Sequence, residues 1–588
     1  MGAQTGRTAH FRSRGRENAL QTTPQTLIDE YTARGWWGRE TPDSLLRRAA
    51  AECPERPALV DPPNRPDIAG GDALRLTWAE TEARVDGLAA ALQATGLRAD
   101  DIVVVQLPNI AELALAYLAL ARLGAIVSPV PVQYGAHELK KIQSELGARA
   151  FLSLGSLKGQ DLLAEHADAF PGCLLYGLAS PSAADAIDIG GFAPDAAQRE
   201  AWLHHRRAFA PDANDIFTIC WTSGTTGTPK GVPRSANHWL AISRASGDLA
   251  GLRDGDALLN PFPMVNMGGL GGFFFNWLVY RATLVLHHPL DLEVYLRQLQ
   301  AEKINYTIAP PALLNMLLRE ERLLAGIDLT HLRAIGSGSA PLAPWMIRGY
   351  EERHGIAILN NFGSNEGMCL ASGPRDVPDA ALRGELFPRF GVAGYEWNNR
   401  AAAMISTRLI DPGTGERIEE PGVPGELLFK GPTIFDGYWK APRANAEVFT
   451  QDGYFRTGDL FEIAGPANDP RYYRFVGRRK DIIVRGGMNV SPAELDTLLA
   501  GHPDLADAAV FGAPDPVLGE RIAVAVVVKP GHRVVLEDIV AFLKDKGVAV
   551  FKLPEALHVF PELPRNALEK VLRHELVAAT TPDSQRLA

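Results

Sequence analysis

The densest concentration of chemistry-bearing residues in the chain is Thr222-Ser-Gly-Thr-Thr-Gly-Thr-Pro-Lys-Gly-Val232. From Thr222 to Gly231 it holds three glycines, five hydroxyl side chains, one proline and Lys230. Glycine permits close backbone approach, and successive backbone N–H groups in such a turn form a concavity that holds anions. The hydroxyls add donors, and Lys230 adds a point charge suited to phosphate. The order Gly-x-x-x-x-Gly-Lys-Ser/Thr is absent, so this is not a P-loop. An ordinary polar surface loop is the bland alternative. A triphosphate or pyrophosphate cradle is the reading that uses every residue type present.

Further stretches of mixed glycine, hydroxyl and charge follow. They are Gly336-Ser-Gly-Ser-Ala-Pro-Leu342, Leu359-Asn-Asn-Phe-Gly-Ser-Asn-Glu-Gly367, Gly453-Tyr-Phe-Arg-Thr-Gly-Asp-Leu460, Phe475-Val-Gly-Arg-Arg-Lys-Asp481, Arg485-Gly-Gly-Met488 and Leu563-Pro-Arg-Asn-Ala-Leu-Glu-Lys-Val571. In this order, together with the phosphate loop, they resemble the signatures of the adenylate-forming superfamily: acyl-CoA synthetases, non-ribosomal adenylation domains and luciferases. The resemblance runs over residues 26–575.

The resemblance implies a role for each stretch. Thr222, Ser223, Gly224, Thr225, Thr226, Gly227 and Lys230 would grip the ATP phosphates. Ser337, Gly338, Ser339, Ala340 and Pro341 would lie against adenine, and Asn361, Phe362, Gly363, Ser364 and Asn365 would complete the nucleotide site, with the Phe362 ring stacked on the base. Glu366, with Thr222, would hold Mg²⁺, a cation that takes carboxylate and phosphate oxygens. Asp459 would accept from the ribose hydroxyls, and Arg478 would reach ribose or phosphate. Gly486 and Gly487 would flank the pantetheine arm of coenzyme A. Lys480 would be the hinge pivot, and Lys570, with Glu366, would serve catalysis. The chain departs from the family pattern at Asn365, where threonine is usual, at Asn266, where a histidine or aromatic often gates the acyl tunnel, and at Glu569, where glycine is usual.

The elements that must position these residues show in the hydrophobic pattern. Ile102–Leu107, Ala125–Val130, Ile216–Trp221, Ala282–His287 and Tyr306–Ala309 read as apolar strands, and Leu45–Glu52, Thr81–Thr95, Ala111–Leu123 and Leu292–Ala301 as helices. Fully apolar strands alternating with helices are the mark of a parallel sheet covered on both faces. Leu332–Ile335 reads as a strand running into a glycine-rich turn, the position where ligands sit in open α/β sheets. The last hundred or so residues read as a small α/β module with strands Asp507–Gly512 and Ile522–Val528, a helix Leu536–Lys546 and a strand from Val559 to Leu563. The expected fold is therefore α/β: a large N-terminal domain of layered sheets with helices, plus a small mobile α/β C-terminal domain. The expected division is a disordered tail over 1–25, the ATP- and acyl-binding domain over 26–478, a hinge at 479–481, the mobile domain over 482–575 and a tail over 576–588.

Bulk properties bound the function. A chain of 588 residues, 46% hydrophobic, has room for about four domain-sized units. A net charge of −10 argues against a nucleic-acid partner, which demands a basic face. Four scattered cysteines fit a reducing cytoplasm and give neither a disulfide framework nor a zinc site. No apolar run reaches the length of a membrane span. His287 and His288 are adjacent on a strand and so point to opposite faces, which argues against a shared metal. No Gly-x-Ser-x-Gly elbow points to a hydrolase.

The reading is an ATP-dependent acid–thiol ligase, with ATP, Mg²⁺ and coenzyme A as its small-molecule partners and a homodimer left open as the assembly. The apolar run Leu270–Tyr280 reads as a core helix; any part of it lining the pocket would favour a hydrophobic acid, whether fatty, alicyclic or aryl. No acidic residue in Phe262–Tyr280 is placed to bind an amino group. An enzyme that loads a carrier protein, and a nucleotide-binding homologue without catalysis, are the alternatives.

Overall fold

The computed structural model of the chain describes residues 20–182, 184–222, 229–338, 342–367, 369–466, 469–479, 481–485, 488–515, 518–546, 548, 550–566 and 570–580. Its architecture is α/β, with four sheets among the described residues. A seven-stranded sheet runs in the order 187–188, 174–177, 150–153, 102–105, 126–129, 216–222, 230–235. It is parallel except for its last pair, an antiparallel hairpin that registers Thr222 opposite Lys230. An eight-stranded sheet has the order 369–372, 357–363, 334–338, 306–308, 257–260, 283–286, 57–60, 75–77. An antiparallel five-stranded sheet spans residues 386–478, and a second sheet of five strands is built wholly from residues 483–559.

The reasons for the layering are local. Helix Ala111–Leu123 is buried along its whole length and stops at Gly124, whose φ of +82° lets the cap amide return to Leu120 and Ala121. A helix apolar on all sides must sit between layers. Its one basic residue, Arg122, is 3% exposed and is matched by Asp43 at 2.6 Å, Glu82 at 2.5 Å and Asp86 at 3.3 Å. A guanidinium so buried demands such partners. Helix Trp78–Ala94 opens with a reciprocal cap between Thr77 and Glu80, and Trp78 stacks on Trp277 with centroids 5.1 Å apart.

The sequence reading needs correction at several elements. Residues 20–25 belong to the body: Thr22 and Thr23 are buried, and Gln21 donates to Asp215 at 2.9 Å. At the other end, helix Arg573–Thr580 buries Leu576 completely, so the body extends past 575. The strand expected at Leu332–Ile335 lies at Ala334–Gly338, held by parallel pairing to 357–363. The strand expected from Val559 lies at Ala556–Val559, where pairing to Gly519–Val528 places it. Leu270–Tyr280 is a π-helical turn followed by a short α-helix, and Phe273, Phe274, Phe275 and Trp277 are all at zero exposure in the core. These rings pack against Tyr306, Tyr117, Phe217, Trp239 and Trp78. His287 has both ring nitrogens engaged, Nδ1 with Gln298 at 2.7 Å and Nε2 with the Asp291 amide at 3.1 Å.

Candidate active site

The phosphate-loop hairpin ends one sheet, and the C-terminal ends of strands 334–338 and 357–363 end the other. Of the loop itself, Ser223, Gly224, Thr225, Thr226 and Gly227 lie outside the described residues, as do Ser339, Ala340, Pro341, Lys480, Gly486 and Gly487. What the structure describes is the frame around them.

Thr222 and Lys230 face each other across the hairpin. The Lys230 ammonium stands 4.8 Å from the centroid of the Tyr438 ring, and the Tyr438 hydroxyl donates to Glu366 Oε1 at 2.9 Å. Burial, and next the neighbouring Glu366 charge, push the Tyr438 phenol well above its ordinary range, so it remains a hydrogen-bond donor. The Glu366 carbonyl accepts from the Phe435 amide at 2.9 Å. The turn 364–367 is thus fastened at the carboxylate and at the backbone by residues of the 432–439 loop. Tyr438 is a residue that sequence reading missed: Asp436-Gly-Tyr-Trp439 reads as a structural turn, and only the fold brings it to Glu366.

A second carboxylate, Asp459, is influenced electrostatically by Glu366. It is 3% exposed and pairs across the sheet with Arg478, whose Nε stands 3.2 Å from Asp459 Oδ1. Burial pushes the Asp459 carboxyl up to about 6, against the opposing pull of Arg478 and then Lys570; Glu366 and Asp481 push it further up. Lys570, in the C-terminal part, therefore acts electrostatically on the same carboxylate as Glu366 does. Its main chain is set by reciprocal bonds with Asn566: the Lys570 amide donates to Asn566 Oδ1 at 3.0 Å, and the Asn566 amide donates to the Lys570 carbonyl at 2.9 Å.

Several expected nucleotide contacts fall differently. Ser337 is fully buried and its hydroxyl donates to the Ala309 carbonyl at 2.8 Å, so this side chain fastens the strand and does not face the cleft. The Asn365 side chain spans the walls: its amide nitrogen donates to the Trp221 carbonyl at 2.9 Å, and its oxygen accepts from the Met267 amide at 2.9 Å. Asparagine here ties the strand entering the phosphate loop to the turn after Asn266, which itself caps that turn by accepting from the Gly269 amide at 3.2 Å. The Phe362 ring packs edge-on against Phe461 at 5.1 Å and tilts against Phe475 at 5.4 Å, while remaining half-buried. Gly338 is backed by Asn361: a Cβ there would lie 2.2 Å from the Asn361 carbonyl oxygen, so the strands close only without a side chain.

A nucleotide with its cation fits this donor set. The Ser364 hydroxyl is buried and has no hydrogen-bond partner among the described residues, a state that ordinarily calls for an unrepresented group. Two residues on is a carboxylate suited to a hard cation, Glu366, and Asp459, on which Glu366 acts electrostatically, is a carboxylate suited to a pair of hydroxyls. Among the described residues no cluster of histidine, cysteine, aspartate and glutamate could by itself cage a metal.

Comparison with known proteins agrees with this geometry. The chain matches the family described as AMP-binding enzyme over residues 46–439, and the AMP-binding enzyme C-terminal domain over 494–570. It is 30% identical, over 95% of its length and 96% of the relative's, to the 2-hydroxy-7-methoxy-5-methyl-1-naphthoate–CoA ligase of Streptomyces carzinostaticus. It is 32% identical, over 86% of its length and 94% of the relative's, to the indoleacetate–CoA ligase of Aromatoleum aromaticum. Among solved structures, ATP-bound MatB from Rhodopseudomonas palustris superposes with a TM-score of 0.74 at 26% identity, covering 92% of this chain and 100% of that one. The chain belongs to the AMP-binding enzyme family, within the adenylate-forming superfamily, and is an AMP-forming acid–thiol ligase.

Proposed function

We propose that the protein activates a hydrophobic carboxylic acid, with aryl and arylacetic acids foremost, as its acyl adenylate and transfers the acyl group to coenzyme A. The observation that carries the proposal is the contact chain Lys230–Tyr438–Glu366 and the Asp459–Arg478 pair, drawn from three separate sheets, with Lys570 and Glu366 acting electrostatically on Asp459. In the first half-reaction an oxygen of the acid attacks the α-phosphorus of ATP, and the bond to pyrophosphate breaks. Such transfer depends on positioning and charge neutralisation more than on covalent help. Lys230 and the phosphate loop hold the leaving pyrophosphate. Glu366, with Thr222, would hold Mg²⁺, which would supply charge neutralisation on the phosphate oxygens. Asp459 and Arg478 hold the ribose, and Lys570 steadies the oxygens between acid and nucleotide. In the second half-reaction the thiol attacks the acyl carbon and AMP leaves.

The names of the relatives support coenzyme A as acceptor and a hydrophobic acid as donor. The absence of acidic residues from 262–280 supports an acid without an amino group. A hinge at 479–481 would let the C-terminal domain exchange Lys570 for the Gly486-Gly487 segment between the half-reactions, a gating motion of known kind. Four cysteines in no disulfide support a cytoplasmic enzyme, and sedimentation distinguishes a monomer from a homodimer. The function is tested by acid-dependent ATP–pyrophosphate exchange, followed by release of acyl-CoA, across acids of graded chain length and ring system. Exchange with an acid but no thioester with coenzyme A would point to a carrier-protein acceptor. Exchange with none would defeat the proposal.

A further inference from the structure

Arg234 is at zero exposure in strand Lys230–Ser235, four residues beyond Lys230. Its Nη1 donates to the Asn365 carbonyl at 2.7 Å, and its Nη2 to the Thr433 carbonyl at 2.6 Å and the His238 carbonyl at 3.5 Å. Its guanidinium carbon lies 4.6 Å from the centroid of the Trp239 ring, and its Nε has no partner among the described residues. No carboxylate of the described residues lies within 4.0 Å of it, unlike the buried Arg65 and Arg122, which have two and three. Burial pulls its pKa down to about 10, with Glu366 and Asp436 among the groups that oppose the fall. A cation placed so deep without a carboxylate partner is costly, and it is kept where its two shortest bonds meet.

Those bonds end on the residue before Glu366 and on the loop that carries Tyr438. Gly367, at φ +101°, presses the turn onto the same two groups: a Cβ there would lie 1.8 Å from the Thr433 oxygen and 2.9 Å from Arg234 Nη1. One strand therefore carries Lys230 against Tyr438 at one end and Arg234 beneath the Glu366 turn at the other. We propose that Arg234 is a positioning residue for adenylation, a buried two-carbonyl clamp that fixes the Glu366 carboxylate relative to the phosphate-loop hairpin so that it receives the divalent cation of Mg²⁺·ATP. The inference rests on the reading that Glu366 serves that cation.

The test is calorimetric titration of ATP, without carboxylic acid, in Mg²⁺ and in EDTA, for the wild-type full-length chain, Arg234→Met, Arg234→Lys and Glu366→Gln. The quantity read is the ratio of the two dissociation constants. Because hydrogen bonds to charged groups carry more than neutral ones, Arg234→Met is expected to lose roughly tenfold or more of the Mg²⁺ enhancement, with a much smaller change in EDTA. Arg234→Lys, which keeps the charge but cannot fork to two carbonyls, should fall between. A second readout is thioester formation from supplied acyl adenylate and coenzyme A, which should fall far less than adenylation; equal loss in both would mark a merely structural residue and overturn the proposal. Should Arg234→Met not fold, Arg234→Lys decides alone, and an undiminished Mg²⁺ ratio refutes the clamp. Loss of the ratio in Glu366→Gln but not in the Arg234 variants defeats this inference alone, whereas an unchanged ratio in Glu366→Gln defeats the reading beneath it.

Discussion

The Asp459 carboxyl offers a prediction with a worked magnitude. It is held at about 6 by burial, even with Arg478 at 3.2 Å. To accept from both ribose hydroxyls it must be ionised. For a group with that pKa, the ionised fraction falls from roughly nine-tenths at pH 7 to about one-tenth at pH 5, a change worth about tenfold in affinity, or about 1.4 kcal/mol. Phosphate groups also titrate near pH 6, so the pH profile of ATP binding alone would mix two causes. Comparing ATP with 2′,3′-dideoxy-ATP separates them, because both carry the same phosphates and only ATP presents the hydroxyls. The preference for ATP is expected to shrink about tenfold between pH 7 and pH 5 in the wild type, and to be independent of pH in Asp459→Asn. The same shift has a stability consequence of opposite sense. Because the folded-state value lies above the ordinary carboxylate value of 3.8, the group's favourable contribution is complete below about pH 4 and is lost as pH rises through about 6. Asp459→Asn should therefore stabilise the ligand-free protein by up to about 3 kcal/mol at pH 8 and by little at pH 4. A ratio of dissociation constants that stays flat from pH 5 to 8 in the wild type would refute the assignment of Asp459 to the ribose.

Three further perturbations test other parts of the argument. Lys570→Ala is expected to reduce acyl-adenylate formation about a hundredfold or more while sparing thioester formation from supplied acyl adenylate; equal loss in the two assays would contradict that division. Tyr438→Phe removes the 2.9 Å bond to Glu366 and keeps the aromatic face under Lys230. A hydrogen bond to a charged group carries about 1.5–3 kcal/mol, so kcat/KM for adenylation should fall roughly ten- to a hundredfold, and unchanged kinetics would show that Glu366 is held by other means. Arg122→Met removes the basic partner of Glu82 and one of two arginine partners of Asp43, which is 5% exposed, and of Asp86, leaving these two to Arg47 and Arg206. It should lower the stability of the transition containing helix Ala111–Leu123 by about 3–5 kcal/mol in urea, with the nucleotide affinity of the folded protein unaltered.

What the sequence disclosed depended on whether the deciding interactions were local. Helices Ala111–Leu123 and Leu292–Ala301 appear at the positions their patterns predict, because apolar spacing and caps lie within the element itself. The strand at Ala334–Gly338 was legible only in part. Its final Gly-Ser-Gly reads as a turn, yet pairing of Ser337 with Asn360 and of Gly338 with Asn361 keeps it extended, and those partners are more than twenty residues away. The same distinction governs the site. Glu366, Asp459 and Lys570 sit inside contiguous motifs, and the resemblance of those motifs to the adenylate-forming signatures singled them out; taken singly, Glu366 reads as a solvated acid and Asp459 as a turn former. Tyr438 lies in Asp436-Gly-Tyr-Trp439, which reads as a structural turn, and Arg234 in a strand; both meet Glu366 and its turn only when the 432–439 loop, the 364–367 turn and the 230–235 strand come together.

Arg234 nevertheless left a trace that could have been followed. Strand Lys230–Ser235 carries Pro233, tolerable because it lies at the sheet's edge, and next to it a full positive charge between buried Val232 and buried Ser235. A charge in a strand otherwise committed to the interior is a conflict between local pattern and global fold, and such conflicts gather where function outweighs stability. The buried arginines of the N-terminal part resolve theirs with carboxylates, at 2.8 and 2.7 Å for Arg65 and 2.6 and 2.5 Å for Arg122. Arg234 resolves its own with carbonyls and leaves its charge uncancelled beside Glu366. Were Glu366 to take a divalent cation, as proposed, the gain would be one of position and not of Coulomb attraction: the guanidinium holds the turn through the Asn365 and Thr433 carbonyls and does not bond the carboxylate oxygens.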